Sequence, residues 1–329
     1  MFSERECAGI VGISEREISF LDDIMIQYKR DAREMIVQIQ RGVTDMLKCG
    51  DKISIVCCSN GQKHYYAEKL KCLETTLQEM GLRPVFSKYI YEKEDVFSGT
   101  AKERADALMG FYKADDIKGI FDISGGDVAN GILPYLDYDV IANSSKLFWG
   151  YSDLTTVLNA IYKKTGKASV LYQIRNLIYD CKEVQIADFR NTVLQSGTDL
   201  LEWEYEFVQQ SEMHGVVVGG NIRCFLKLAG TEYMPDLKGK ILLLESYSGT
   251  VAKMETYLCQ LQQLGAFDKV AGILLGTFTE MESEKCVPGI AELVKRIAGK
   301  ELPIAVTRKI GHGTDAKGIL IGGKVSLTD

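Results

Sequence analysis

Short apolar segments alternate with amphipathic segments between residues 52 and 164, and this alternation constrains the fold most. The apolar segments end in small polar residues, which is typical of buried strands. They lie at residues 52–58, 83–86, 117–123 and 147–149. The amphipathic segments have the spacing of helices and lie at about residues 63–80, 101–111 and 154–164. Strands alternating with helices predict an α/β domain with a mainly parallel sheet.

Three of the predicted strands lead into small, polar loops. These loops are residues 59–61, 124–126 and 150–152. Ligand sites in open α/β sheets lie at the carboxyl ends of the strands. The sequence therefore predicts a site where these loops meet.

The pattern changes from about residue 200, where strands predominate. Candidate strands separated by turn residues lie at 202–207, 216–218, 241–244, 273–275, 304–306 and 324–327. Two helices are predicted among them, at about 250–264 and 288–299. This half is predicted to be a second, β-rich domain with a mixed fold.

Four regions follow from these patterns. Residues 1–46 are predicted to be a helical extension, because Ser14 and Glu17 can form a capping box at the start of a helix over residues 14–47. Residues 47–166 are predicted to form the α/β domain and residues 167–199 a connection. Residues 200–329 are predicted to form the β-rich domain.

Charge and hydropathy exclude several classes of protein. The formal net charge of -6 disfavours a broad nucleic-acid-binding surface. No apolar run approaches the roughly 20 residues of a membrane-spanning helix. The amino terminus lacks the basic and then apolar layout of a secretory signal. We expect a cytoplasmic protein with no nucleic-acid or membrane partner.

The nine cysteines are scattered and odd in number, and they form no C-x-x-C pair. This pattern disfavours both a complete disulfide framework and a zinc ribbon. Most of these cysteines are predicted to be reduced, buried side chains. A cysteine nucleophile is a disfavoured alternative.

Ser152 is a candidate nucleophile. A predicted strand, Gly150 two residues before the serine, and a predicted helix after it form half of a nucleophile-elbow pattern. Leu154 stands where the usual second glycine would be. The alternative is that Ser152 or Asp153 only caps the helix. Gly125 and Gly126 suit an oxyanion loop, and they also suit any tight turn.

A general base must come from His64, His214 or His312 if it is a histidine. His64 is predicted at the surface and His214 in a turn. His312 lies between two glycines after a strand, which makes it the best candidate, although a structural loop histidine is the alternative. Glu245 ends an apolar strand and could orient the histidine, or could simply be solvated.

These segments together resemble the LD-carboxypeptidase family, which includes muramoyltetrapeptide carboxypeptidases and microcin C immunity peptidases. The resemblance runs from about residue 47 to the carboxyl terminus. Its blocks occur in the family's order at residues 124–139, 150–155, 218–221, 242–245, 270–276 and 311–313.

The resemblance implies a Ser-Glu-His triad at Ser152, Glu245 and His312. It also implies oxyanion donors at the backbone N–H groups of Gly126 and Asp153. Further implications are a flavodoxin-like amino-terminal domain, a smaller β-rich mixed carboxyl-terminal domain, a homodimer, and no metal or cofactor. The substrate would be a small peptide or muropeptide that loses its terminal D-alanine in cell-wall recycling. Substrate contacts are expected, within the same blocks, from Gly125, Asp127, Asn130 and Tyr151.

Several positions depart from the family pattern and bear on specificity. Cys57 and Cys58 replace a common Ala-Pro pair, Gly131 replaces a common arginine, and Ser246 replaces a common acidic residue. Residues 170–175 lack the usual glycine-proline segment.

Two other functions stay open. An immunity-type peptidase acting on peptidyl-nucleotide antibiotics would need an aromatic platform, for which Trp149, Trp203 and Tyr247 are candidates. A carboxypeptidase would instead need a cation for the free carboxylate of its substrate. Candidates for that cation are Arg175, Arg190 and Arg223. A non-catalytic binding protein on the same fold is the second alternative.

Overall fold

The computed structural model describes residues 47–329, so the extension 1–46 and almost all of the predicted helix over 14–47 lie outside the described residues. Two six-stranded sheets organise this part of the chain. The strands are β1 (Lys52–Val56), β2 (Arg83–Phe86), β3 (Ile117–Asp122), β4 (Phe148–Gly150), β5 (Ser169–Leu171), β6 (Glu206–Gln209), β7 (Glu212–Asn221), β8 (Lys240–Ser246), β9 (Gly272–Phe278), β10 (Ile304–Val306), β11 (Ile319–Ile321) and β12 (Lys324–Thr328).

The α-helices connect these strands or cover the sheets. They are α1 (Ala67–Glu79), α2 (Ala101–Lys113), α3 (Tyr138–Asn143), α4 (Thr155–Thr165), α5 (Lys182–Leu194), α6 (Ile222–Leu226), α7 (Val251–Gln263), α8 (Thr279–Ser283) and α9 (Ile290–Ala298). Short 3₁₀ helices occupy His64–Tyr66, Ala129–Tyr135, Ser152–Leu154, Ile174–Ile178 and Asp199–Leu201. Each helix predicted between residues 63 and 299 is confirmed to within a few residues.

The first sheet has the order β2-β1-β3-β4-β5, and these five strands are parallel. This is the strand order of flavodoxin-like folds, whose ligand site lies where the order reverses, between β1 and β3. The inner strands β3 and β4 are buried almost throughout, as expected for a parallel sheet covered on both faces. The predicted flavodoxin-like fold is confirmed.

The second sheet is mixed and has the order β12-β7-β8-β9-β10-β6. Its four central strands are parallel, while the edge strands β12 and β6 are antiparallel to their neighbours. The apolar run of β8 is buried after its first residue, which explains why it lacks polar–apolar alternation.

One expectation for this sheet is wrong in its limits. The predicted strand over 202–207 begins only at Glu206, and a 3₁₀ helix precedes it at Asp199–Leu201. The physical reason is that β6 is an edge strand whose only neighbour, β10, is three residues long. Alternating side chains at residues 202–205 therefore have no strand opposite them.

Two strands of the first sheet were not predicted from the sequence. Strand β5 lies within the segment 167–199, and β11 comes from the last residues of the chain. They pair antiparallel, with Ile319 opposite Leu171 and Ile321 opposite Ser169. The predicted domain limits stay a prediction, but the chain visits the first sheet again after completing most of the second.

Helix α4 connects the two sheets. Its Asn159 side chain is buried and bonds both backbone groups of Gly219 on β7, with Nδ2 donating over 2.8 Å and Oδ1 accepting over 2.9 Å. The Thr155 hydroxyl accepts a 3.0 Å hydrogen bond from the Asn221 N–H. Because α4 follows directly on Ser152, these contacts fix the candidate nucleophile relative to the second sheet. Within residues 47–329, no helix is both long and apolar enough for a membrane span.

Candidate active site

The loops after β1 and β3 are joined by hydrogen bonds at one rim of the first sheet. The Ser59 N–H donates to Oγ of Ser124 over 2.8 Å, and the Asn60 N–H donates to the Gly125 carbonyl over 3.1 Å. The buried carboxylate of Asp122 accepts from the backbone N–H groups of Ser124 and Cys58 over 2.7 and 2.8 Å. The rim is therefore held by hydrogen bonds between polar groups at consecutive strand ends.

Ser152 lies on a tight turn between β4 and α4. Its φ of 53° is in the left-handed region, which a residue with a side chain rarely adopts without a constraint. The turn closes because the Leu154 N–H donates to the Tyr151 carbonyl over 3.0 Å. A Cβ at Gly150 would lie 2.8 Å from Cβ of Leu154, so this position requires glycine. This geometry resembles a nucleophile elbow more than a simple helix cap.

Glu245 and His312 form a buried pair although 67 residues separate them. Oε2 of Glu245 lies 2.7 Å from Nδ1 of His312, and the two side chains are 2% and 7% exposed. Because a carboxylate only accepts hydrogen bonds, Nδ1 carries the proton and donates it. The Nε2 atom is then the free acceptor that a general base requires.

Two glycines let the loop of His312 approach the end of β8. A Cβ at Gly311, whose φ is 145°, would overlap the Thr277 side chain. A Cβ at Gly276 would overlap the Ile310 carbonyl and lie 3.0 Å from Cβ of Glu245. The Thr277 hydroxyl accepts a hydrogen bond from the His312 N–H over 3.4 Å. The glycines before His312 and on β9 are therefore required by close backbone packing.

Two tyrosines contact the His312 ring. The centroid of the Tyr151 ring lies 5.1 Å from that of His312, and the centroid of the Tyr247 ring lies 5.2 Å from it. Tyr151 precedes Ser152 in the chain, so the elbow and the Glu245–His312 pair belong to one site. Tyr247 is 60% exposed and presents an aromatic face to solvent.

The glycine loop after β3 lies beside the Ser152 hydroxyl. A Cβ at Gly125 would lie 3.8 Å from Oγ of Ser152. Gly126 has a φ of 119°, and a Cβ there would overlap the Asn60 side chain. Oδ1 of Asn60 accepts a 2.9 Å hydrogen bond from the Asp127 N–H. The loop thus places backbone close to Ser152, as an oxyanion loop must.

Asp153 is fully buried, and its carboxylate ties three segments together. Oδ2 accepts from the Ser59 hydroxyl over 2.6 Å and from the Ala129 N–H over 2.8 Å. Oδ1 accepts a 2.5 Å hydrogen bond from Nζ of Lys227. Lys227 directly follows α6, the short helix after β7 of the second sheet. A buried charge is tolerated when it is paired and hydrogen-bonded, and Asp153 meets both conditions.

Arg223 and Lys227 both hold the glycine loop from the side of the second sheet. Arg223 forms an ion pair with the Asp127 carboxylate and donates to the Gly126 carbonyl over 3.0 Å. Lys227 donates to the Asp127 carbonyl over 2.9 Å. Sequence reasoning missed Lys227. The only signal was its spacing of four residues from Arg223, which puts both on one helical face.

The remaining expected substrate contacts lie beside this loop. Asp127 and Asn130 are exposed and line an open groove of about 670 Å³, to which Gly131 also contributes. The Asp127 carboxylate is already paired with Arg223.

The cysteines near the rim are poor nucleophiles. Burial, aided by the nearby Asp122 carboxylate, raises the pKa of Cys57 to about 12 and also raises the pKa of Cys58. Burial raises the pKa of Cys224 to about 12. Since the thiolate is the reactive form, these three thiols are unreactive at neutral pH. Among residues 47–329, no group of three or more histidine, cysteine or carboxylate side chains could hold a metal ion.

The other histidine candidates and Trp149 lie outside this arrangement. His64 is exposed as predicted and stacks on Tyr91 with ring centroids 4.9 Å apart. His214 was predicted in a turn, but this is wrong. It lies on β7, where its residue pairs with Ser326 on β12. Trp149 is 1% exposed and cannot act as an aromatic platform.

Comparison with known proteins identifies the family. The LD-carboxypeptidase N-terminal domain matches residues 53–172, and the LD-carboxypeptidase C-terminal domain matches residues 214–327. A probable murein peptide carboxypeptidase of Bacillus subtilis is 25% identical over 295 residues, covering 85% of this chain and 90% of the relative. The microcin C7 self-immunity protein MccF of Escherichia coli is 28% identical over 261 residues, covering 69% of this chain and 76% of that relative.

A solved structure agrees with these relatives. The MccF-like protein from Bacillus anthracis superposes with a TM-score of 0.76 at 27% identity, covering 87% of this chain and 95% of the other. The two matched domains together span most of the chain and contain the elbow, the carboxylate and the histidine described above. The chain belongs to the LD-carboxypeptidase family and is a serine peptidase.

Proposed function

We propose that this peptidase is a carboxypeptidase that removes the terminal D-alanine from murein tetrapeptides, with Ser152, Glu245 and His312 as its catalytic triad. The observation that carries the proposal is the 2.7 Å contact between Nδ1 of His312 and Oε2 of Glu245. It leaves Nε2 of His312 free, and Tyr151 connects that ring to the elbow of Ser152.

The chemistry begins with the Ser152 hydroxyl. Its oxygen forms a bond to the carbonyl carbon of the scissile peptide while its proton passes to Nε2 of His312. Glu245 stabilises the resulting imidazolium. The backbone N–H groups of Gly126 and Asp153 stabilise the negative charge on the former carbonyl oxygen.

The intermediate then collapses to an acyl-enzyme. The carbon–nitrogen bond breaks as His312 returns the proton to the leaving amine of D-alanine. His312 next takes a proton from water, whose oxygen attacks the acyl carbon. The bond between that carbon and Oγ of Ser152 then breaks, His312 returns the proton to Oγ, and the shortened peptide leaves with a free carboxyl group. Protons are conserved at each step, and the residues named supply all the groups that the reaction needs.

Mass spectrometry of a murein tetrapeptide incubated with the purified protein tests this function. We expect the wild type to remove one alanine and the Ser152→Ala variant to remove none. Equal loss with both proteins would exclude Ser152 as the nucleophile. An intact tetrapeptide in both samples would contradict the murein assignment.

A second function is favoured by one observation. Tyr247 is 60% exposed and lies 5.2 Å from the His312 ring, so a planar base could stack beside the catalytic centre. This supports an immunity-type peptidase that cleaves peptidyl-nucleotide antibiotics. An aminoacyl-sulfamoyl nucleoside is the matching probe, and its binding to the Ser152→Ala variant, lost in Tyr247→Ala, would favour this function.

Three further expectations stay predictions. They are a cytoplasmic location, a homodimer, and a small peptide or muropeptide substrate with no nucleic-acid or membrane partner. Size-exclusion chromatography with light scattering tests the dimer directly.

A further inference from the structure

Three arginines are candidates for binding a free carboxylate, and they differ in their partners and in their distance from the candidate active site. Arg223 is already paired with the Asp127 carboxylate. Arg190 is exposed on α5, on the surface of the protein. Arg175 lies in the 3₁₀ helix that follows β5, next to the candidate active site.

Arg175 has neutral partners only. Its Nη1 donates to Oε1 of Gln62 over 3.0 Å, and its Nη2 donates to the Tyr151 hydroxyl over 3.4 Å. Its Nε is buried and has no hydrogen-bond partner among residues 47–329. Within residues 47–329 no carboxylate forms an ion pair with it, in contrast to Arg223 and Lys227. Arg175 is therefore a partly buried cation without a counter-ion.

The position of Arg175 relates it to the reacting groups. Its guanidinium contacts the Tyr151 hydroxyl, the Tyr151 ring contacts His312, and Tyr151 precedes Ser152. A guanidinium has five donors in one plane. Two are used here and the Nε–H is buried, so one N–H on each Nη atom remains for an anion. Removing a charge from water is unfavourable unless an opposite charge compensates, and a bound anion would supply that charge.

We propose that Arg175 binds the free carboxylate of the substrate's terminal residue and so makes the enzyme an exopeptidase. This rests on the proposed function, since it names the group that the same site recognises. The carboxylate would pair with the guanidinium while the preceding peptide carbonyl lies at Ser152. Gln62 and Tyr151 would hold the guanidinium in orientation.

Paired substrates test this assignment. The murein tetrapeptide and the same peptide amidated at its terminal carboxylate are compared for kcat/KM with the wild type, Arg175→Met and Arg175→Lys. We expect the wild type to prefer the free acid by about 30-fold or more, the size expected for a partly desolvated charge pair. Arg175→Met should lose that preference, measured as the ratio of kcat/KM for the acid to kcat/KM for the amide within the variant. Arg175→Lys should keep part of it. Arg190→Met is the matched control and should retain the full preference.

The ratio of kcat/KM for the acid to kcat/KM for the amide is measured within each variant, so a partial loss of folded protein does not alter this ratio. An equal rate for acid and amide in the wild type would overturn the assignment while leaving the peptidase function intact. An undiminished preference in Arg175→Met would also overturn it.

Binding separates failure of this inference from failure of the proposed function. Calorimetry measures both peptides with the Ser152→Ala variant, with and without Arg175→Met. If the wild type cleaves neither peptide, the murein function fails. The carboxylate site is still supported if the free acid binds more tightly than the amide and Arg175→Met abolishes this difference in affinity. Equal or absent binding of the two peptides would overturn it.

Discussion

Nδ1 of His312 lies 2.7 Å from Oε2 of Glu245, a buried carboxylate at the end of β8. The pair joins the end of β8 to the loop between β10 and β11, and its imidazole contacts Tyr151 in the elbow that follows β4 of the first sheet. This relationship gives the first prediction, because the carboxylate both orients the imidazole and stabilises its protonated form.

Glu245→Gln keeps the shape of the side chain and removes its charge. We expect kcat to fall by up to about 10⁴-fold, the loss seen when the triad acid of a serine protease is replaced by its amide. The measurements are D-alanine release and the rate of Ser152 labelling by a fluorophosphonate. Glu79→Gln, at an exposed position on α1, is the control and should behave as the wild type. A kcat within threefold of the wild type in Glu245→Gln would contradict the assigned role.

Lys227→Met leaves the buried Asp153 carboxylate without its cation. We expect the free energy of unfolding to fall by about 3 kcal/mol or more, as for other broken buried pairs. Urea denaturation measures this, with Lys238→Met as the exposed control. Adding Asp153→Asn should recover part of the loss, since the unpaired charge is then removed. A double variant less stable than the sum of the single changes would contradict this explanation.

Gly126→Ala tests the glycine loop. The new Cβ would overlap the Asn60 side chain and occupy a backbone with a φ of 119°. We expect kcat/KM to fall at least about tenfold, since displaced oxyanion donors reduce rates by about 10²–10³-fold. Gly166→Ala separates the two effects. Gly166 has a φ of 72° with no atom near the new Cβ, so it should lose only about 1–2 kcal/mol of stability and retain activity. Similar activities in the two variants would argue against an oxyanion role for Gly126.

Cysteine alkylation tests the thiols. With the pKa of Cys57 raised to about 12, about one Cys57 thiol in 10⁴ is ionised at pH 8. The ionised fraction becomes large only as the pH approaches 12. Iodoacetamide at pH 8 should therefore modify the exposed Cys49 and Cys72 and spare Cys57, Cys58 and Cys224 until the protein unfolds. Peptide mapping by mass spectrometry measures each site. Rapid labelling of Cys57 with loss of activity would revive a cysteine nucleophile.

The alternation of apolar segments and helices predicted the first sheet because each element carries its own local signal. Residues 117–123 are mostly apolar and are followed by Ser124, Gly125 and Gly126, and the observed strand Ile117–Asp122 ends just before that loop. Strands β5 and β11 were not predicted, because each is three residues long and their pairing joins residues about 150 apart in sequence. Local periodicity contains no information about such a partner.

The candidate site was predictable in its parts but not in its assembly. Gly150 and Ser152 form a local pattern, whereas the residues alone left the pairing of Glu245 with His312 as one of two alternatives and the resemblance to a family favoured it. Lys227 and Arg175 could not be singled out, because the importance of each depends on a neighbour distant in sequence. For Lys227 that neighbour is Asp153, and for Arg175 it is Tyr151.

The return of β11 to the first sheet has a consequence for protein synthesis. Until residues 319–321 have been synthesised, β5 has no partner on its outer side, although every other strand of that sheet has already been made. An unpaired strand edge is a template for association with other chains. Each nascent chain therefore passes through a stage in which the buried strand β5, and not β11, is the edge strand at that end of the sheet. A product truncated before residue 319 would leave β5 unpaired and be prone to aggregate.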